Sequence, residues 1–273
     1  VGPPGAKTSN KADDVNTEAY YRYQKNYDNL KNGNRCGIAC PSRKEVVYVG
    51  ANDGMLHAFD SNTGSELWAF IPPTMLQSLR KMDSVKANSS HSVYGVDGSP
   101  VVKDIYYGGK WRTILLTGMG RGGHGYFAMD VTNPNSPSFL FAFQNDTINK
   151  QIYHWDASGN RVDLGYVAGI PAERDYSKLG EAWSTPVIMA MPNGTTRKWV
   201  AVFGAGYNGG VSTDYGSAVY VIDLEDEGKV LKKIDLTDVS NNIANSVPAT
   251  LTAITPDTTS KAKYKGAMFY FSD

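Results

Sequence analysis

Three segments of this sequence repeat one layout: an apolar strand ending in glycine, a glycine-containing turn, a second strand ending in aspartate, and a third strand. A layout that recurs along a chain implies a repeat architecture, in which each unit buries its faces against its neighbours. The first copy runs Glu45 to Gly50, turns through Asn52-Asp53-Gly54, returns as Met55 to Asp60, turns at Asn62-Thr63-Gly64 and leaves as Glu66 to Phe70. The second has strands at Thr113–Gly118, Tyr126–Asp130 and Ser138–Phe143; the third has them at Trp199–Gly204, Ala218–Asp223 and Lys229–Ile234. A further strand with proline near its start precedes each of the later copies, Ser99-Pro100-Val101-Val102 and Thr185-Pro186-Val187-Ile188. Proline is tolerated there because an edge strand can spare the N–H. Val247-Pro248-Ala249-Thr250-Leu251 opens a fourth unit, continued by Ala267–Phe271.

Four-stranded antiparallel units in series, with strands apolar enough to be covered on both faces, predict an all-β fold of propeller blades, with a sandwich as the alternative. The expected units span about 1–80, 95–145, 182–236 and 246–273 of a single domain. The marker aspartates Asp60, Asp130 and Asp223 lie 70 and 93 residues apart, more than the roughly 40–50 of common propeller repeats. Insertions at about 10–40 and 144–181 account for the excess. The first contains an aromatic-rich stretch at 17–31 with helical spacing; the second reads as a hairpin turning at Ser158-Gly159-Asn160. The fourth unit lacks its last strands, and the chain opens on Val1-Gly2-Pro3-Pro4 as an excised fragment would, so further blades are expected.

Composition removes several function classes. The 27 basic and 27 acidic residues cancel, leaving no charge excess to hold nucleic acid or an anionic membrane. No run of about 18 apolar residues could span a bilayer. Gly118-Met119-Gly120-Arg121-Gly122-Gly123 matches a dinucleotide fingerprint, but a strand follows it, so no helix N-terminus is available for phosphate; its glycines are expected to supply positive φ in a long hairpin loop. His57, His91, His124 and His154 show no metal or catalytic spacing, and His57 on a blade strand reads as structural. Asp156, Ser158, Asn160 and Asp163 lack the spacing and closing glutamate of a calcium loop. Cys36 and Cys40, with Gly37 between them, read as a local disulfide formed in an oxidising compartment.

Ala58-x-Asp60-x-x-Thr63-Gly64-x-x-x-Trp68 resembles the tryptophan-docking repeat of quinoprotein dehydrogenases, in which the tryptophan closes the contact between blades. A longer string, Val47-Tyr48-Val49-Gly50-Ala51-Asn52-Asp53-Gly54-Met55-Leu56-His57-Ala58-Phe59-Asp60, is similar to the C-terminal domain of type IV pilus tip-associated adhesins, the PilC/PilY family. Val96–Pro100, Trp111–Thr113, Gly125–Thr132, Leu164–Tyr166 and Val202–Asn208 follow in that family's order. The resemblance implies a modified, quinoprotein-like propeller at or near a bacterial pilus tip, supporting pilus assembly, twitching motility and attachment. Its implied partners are minor pilins and a host receptor or abiotic surface, outside the outer membrane. The family's aspartate-rich calcium loop would fall at 255–263, where this chain has one acid and two lysines, so no cofactor is expected. The chain therefore reads as non-catalytic. A quinone-dependent dehydrogenase and a pure assembly scaffold are the alternatives.

If consecutive blades repeat one strand direction, the turns after the glycine-ended strands open on one end of the propeller. They carry Asn52 and Asp53, then Arg121 and His124, then Tyr207, Asn208, Asp214 and Tyr215, a mixed aromatic and polar set of the kind that anchors protein contacts.

Overall fold

The computed structural model describes residues 44–83, 93–108, 110–193, 196–207, 215–237, 246–254 and 268–271. Four antiparallel sheets follow one another along the chain. The first contains β1 (Val46–Gly50), β2 (Leu56–Asp60) and β3 (Glu66–Phe70). A short helix, α1 (Leu79–Asp83), follows it. The second sheet contains β4 (Val101–Tyr107), β5 (Lys110–Gly118), β6 (Gly125–Asp130), β7 (Ser138–Asp146), β8 (Gln151–Trp155) and β9 (Arg161–Gly165). The third contains β10 (Val187–Asn193), β11 (Thr196–Gly204), β12 (Ala218–Asp223) and β13 (Val230–Asp235), and the fourth pairs β14 (Thr252–Ile254) with β15 (Met268–Tyr270). Each sheet is a meander whose spatial order equals its chain order.

Alternation decides between blade and sandwich. Along β6, Tyr126 and Ala128 enter the core shared with the third sheet, while Phe127 and Met129 enter the core shared with the first. Strand β7 divides the same way, Phe141 and Phe143 on one side and Ala142 on the other. A period of two with both faces buried in different cores makes the second sheet the middle layer of a stack, as propeller packing requires and a two-sheet sandwich does not. The outermost strand of the third sheet, β13, is largely exposed after Val230.

The core between the second and third sheets is a run of stacked rings. Phe143 lies on Tyr176 with centroids 3.9 Å apart and planes at 2°, Tyr126 lies 4.2 Å from Phe203, and Tyr220 closes on both Phe203 and Tyr176. Their hydroxyls are satisfied, as burial demands. The Tyr126 hydroxyl donates to the Ser184 carbonyl at 2.8 Å, that of Tyr176 donates to the Gly228 carbonyl, and that of Tyr220 accepts the Lys178 amide.

Two expectations change. The 144–181 segment does form the expected hairpin, with Gly159 at φ +82° and the Asp156 carboxylate accepting the Ser158 and Asn160 amides, but it is not external to the blade. Strand β8 pairs with β7 from Ala142↔Trp155 to Asp146↔Gln151, so this blade has six strands rather than four. In Gly118–Gly123 positive φ holds only at Gly120 (+56°). Gly118 and Gly122 serve close backbone approach instead: a Cβ on them would stand 2.3 Å from the Ala182 carbonyl oxygen and 1.7 Å from that of Gly95. The helix expected at 17–31, the Cys36–Cys40 disulfide and the 255–263 loop lie outside the described residues. Among the described residues no helix is long and apolar enough to cross a membrane, and no three His, Cys, Asp or Glu side chains are grouped to hold a metal ion.

Candidate interaction face at the unit joints

Each glycine-ended strand delivers its turn onto the segment that opens the next unit, and the contact is main chain on main chain. A Cβ on Gly50, Gly118 or Gly204 would stand 2.2, 2.3 or 2.1 Å from the carbonyl oxygen of Val96, Ala182 or Val247 respectively. No side chain fits at such a distance, which is why the strand ends in glycine in every copy. Hydrogen bonds then fasten the joint. The Val96 amide donates to Ala51 and the Asp97 amide to Met119; Gly120 donates to Ala182 and Gly206 to Val247. Glu181 and Tyr207 exchange bonds of 2.8 and 2.9 Å. Buried Ser184 spans three units, its carbonyl receiving Tyr126 and its hydroxyl accepting the Gly204 amide and donating to the Ala249 carbonyl.

The other end of each blade carries a second repeated device. Asp60, Asp130 and Asp223 each accept a backbone amide two residues on, from Asn62, Thr132 and Glu225. Each also pairs with a cation on the preceding chain segment, Lys44 at 3.4 Å, Arg112 at 3.0 Å and Lys198 at 2.7 Å. The cation stands two residues before the register partner of the aspartate in all three copies: Val46, Ile114 and Val200. The Asn62 amide, followed by Lys44, holds the Asp60 carboxyl below its ordinary value, and the bond to Asp223 raises the Lys198 ammonium. Trp68 fulfils the blade-closing role expected of it, its indole N–H donating to the Pro134 carbonyl of the next unit at 2.8 Å.

The side chains expected on the joint face fall into three groups. Asn52 and Asp53 are engaged internally: Asn52 accepts the Gly95 amide, and Asp53 accepts the Met55 amide with one oxygen and pairs with His57 Nε2 at 3.0 Å with the other. Arg121 and Tyr207 come together in a cleft of about 640 Å³ with Glu181, Trp183 and Pro248. His124 and Tyr215 meet with ring centroids 6.5 Å apart, beside a second cleft of about 450 Å³ lined by Tyr215, Lys150, Tyr166 and Lys178 among others. Asn208 and Asp214 lie outside the described residues. Burial pushes the His124 imidazole below its ordinary value, although the charges of Glu181 and Asp146 draw it the other way.

Glu181 and Trp183 escape a reading by turns because they sit on the connection between the second and third sheets, and Lys150 because it sits on the β7–β8 turn inside the segment read as an insertion. Trp183 had one visible signal: it occupies the place of Asp97 and Pro248, immediately before the small residue that leads into each unit's first strand.

Stacked antiparallel blades with repeated main-chain joints define a β-propeller domain. The chain belongs to the PilY1 β-propeller domain family, whose model matches residues 14–269. It is 33% identical over 205 residues to the type IV pilus biogenesis factor PilY1 of Pseudomonas aeruginosa, covering 75% of this chain and 15% of that protein. It is 37% identical over 186 residues to a PilY1 homolog of Xylella fastidiosa, covering 67% of this chain and 12% of that one. The crystal structure of the P. aeruginosa PilY1 C-terminal domain superimposes with a TM-score of 0.55 at 30% identity, covering 85% of this chain and 37% of that one. The chain thus spans a small part of the curated relatives it matches.

Proposed function

We propose that this domain is the docking platform of a type IV pilus biogenesis factor and works by binding rather than by catalysis. The observation that carries the reading is the family membership over residues 14–269, together with relatives named as pilus biogenesis factors. In this reading the joint face, presenting Arg121, His124, Tyr207 and Tyr215, meets minor pilins at the tip of a pilus on the bacterial surface. The same face, or its neighbours, supports twitching and attachment to cells or abiotic surfaces. The joints support this assignment physically, because side chains held on interlocked backbone lose little entropy on binding.

The test replaces Arg121, Tyr207 and Tyr215 together by alanine in the complete factor and scores surface pili, twitching zone and adherence separately. Loss of pili with an unchanged thermal melt supports assembly docking, and retained pili with lost adherence supports an adhesive face. Wild-type values in all three would overturn the proposal.

A further inference from the structure

We propose that the cleft bounded by Arg121, Glu181, Trp183, Tyr207 and Pro248 binds a neutral pyranose, stacked on the aromatic rings and hydrogen-bonded by the two charged groups. The site belongs to the docking face proposed above and rests on that reading for its access to a ligand.

Aromatic exposure is the first reason. Trp155 and Trp199 are buried, 6% and 2% exposed, whereas Trp183 and Tyr207 are 40% and 41% exposed on the same cleft. Flat amphipathic rings offer the C–H face of a sugar a large contact at small entropic cost.

Fixed geometry is the second. Glu181 Oε2 accepts the Trp183 indole N–H at 2.9 Å, which ties down both side chains. Arg121 donates to the Tyr94 hydroxyl at 3.0 Å, with its guanidinium carbon 4.4 Å from the centre of that ring. Beneath them the Glu181–Tyr207 bridge holds the cleft floor at the unit joint. Weak ligands need such pre-organisation.

Hydrogen-bond chemistry is the third. A sugar hydroxyl both donates and accepts. Glu181 supplies acceptors, Arg121 supplies donors, and the Tyr207 hydroxyl supplies either. The opposite charges cancel, which suits an uncharged ligand. Peptide addition to a strand edge is excluded at this point, because the Glu181 and Tyr207 backbones bond each other. The cleft volume of about 640 Å³ falls within the roughly 300–1,000 Å³ of small-ligand sites.

The test titrates the full chain separately with cellobiose, N,N′-diacetylchitobiose and lactose, following tryptophan emission and its quenching by acrylamide. At least one disaccharide is expected to give a saturable change with a dissociation constant on the order of 1 mM and to protect the indole from quencher. Trp183→Ala should abolish the response; Tyr207→Ala should weaken binding about tenfold while Tyr207→Phe, which keeps the ring and loses one hydrogen bond, weakens it only about threefold, each with an unchanged melt. Should the Trp183 variant fail to fold, the Tyr207 pair decides. No saturable response to any of the three sugars would overturn the proposal, as would a response untouched by these variants or saturation by decaproline instead. A factor that still requires this face for pili yet ignores every sugar would sink the pyranose site alone and leave the docking face standing.

Discussion

The middle blade meets its two neighbours through rings packed to different closeness and in different company. Toward the third sheet it presents Tyr126, Phe141 and Phe143 to a ring stack completed by Tyr176, Phe203 and Tyr220. Toward the first it presents Phe127 and Phe139, both 5.9 Å from Phe70, interleaved with Leu115, Met119 and Met129 against Leu56 and Met75, with α1's Met82 packed alongside. Stacked rings with hydrogen-bonded hydroxyls admit few arrangements, whereas methionine fills irregular space and tolerates change. Ring geometry is therefore more tightly fixed between units two and three, and the methionine-rich contact between units one and two is the more adaptable.

The largest expected effect tests this contrast directly. Phe143→Ala removes the central ring of the stack and should cost about 3–5 kcal/mol in denaturant unfolding, while the matching truncation Met129→Ala on the opposite face, where neighbours can close in, should cost about 2 kcal/mol. Equal losses would erase the distinction. Gly204→Ala forces a Cβ to 2.1 Å from the Val247 carbonyl oxygen and should cost about 1–3 kcal/mol, mostly as faster unfolding of the joint seen by amide exchange at Gly206. Trp68→Phe keeps an aromatic ring in the first contact but loses the bond to Pro134 and part of the ring area, together worth about 1 kcal/mol at the thermal midpoint.

The smallest effect compares histidines. His57 is held between Glu66 at 2.7 Å and Asp53 at 3.0 Å, and the Glu66 bond, more than Asp53, raises its pKa. Its contribution is therefore complete below an unfolded value of about 6.5 and is lost as pH rises through the folded value. The carboxylates are partly exposed, so salt should shrink it. His154 has the opposite sign: burial lowers its pKa although it donates to the Glu227 carbonyl, so it destabilises the fold as pH falls below about 6.5. The deficit of His57→Gln should be greatest near pH 5 and fade toward pH 8, measured by chemical denaturation; a deficit flat in pH would break the assignment.

Much of this architecture is legible in sequence because its signals are local. Short apolar runs mark β2, β6 and β12, and an aspartate at the end of each announces the turn that follows. The partners of those residues are not local. Lys198 lies 25 residues before Asp223, and the carbonyl that forbids a side chain at Gly118 belongs to Ala182, so neither contact exists until blades are registered. The extra β8–β9 pair shows the same limit, since a hairpin is readable from Ser158-Gly159-Asn160 but its attachment to β7 is not. For the site, Arg121 and Tyr207 announce themselves on glycine-rich turns, whereas Glu181 and Trp183 occupy a connection without periodicity.

Because each joint turn meets the next unit main chain on main chain, with cores elsewhere holding the blades together, the fold asks little of the residues displayed beside each joint. Trp183, Asp97 and Pro248 already occupy one equivalent place with three unrelated chemistries. Such a scaffold can exchange its surface vocabulary piecemeal, acquiring a new target without renegotiating how it folds.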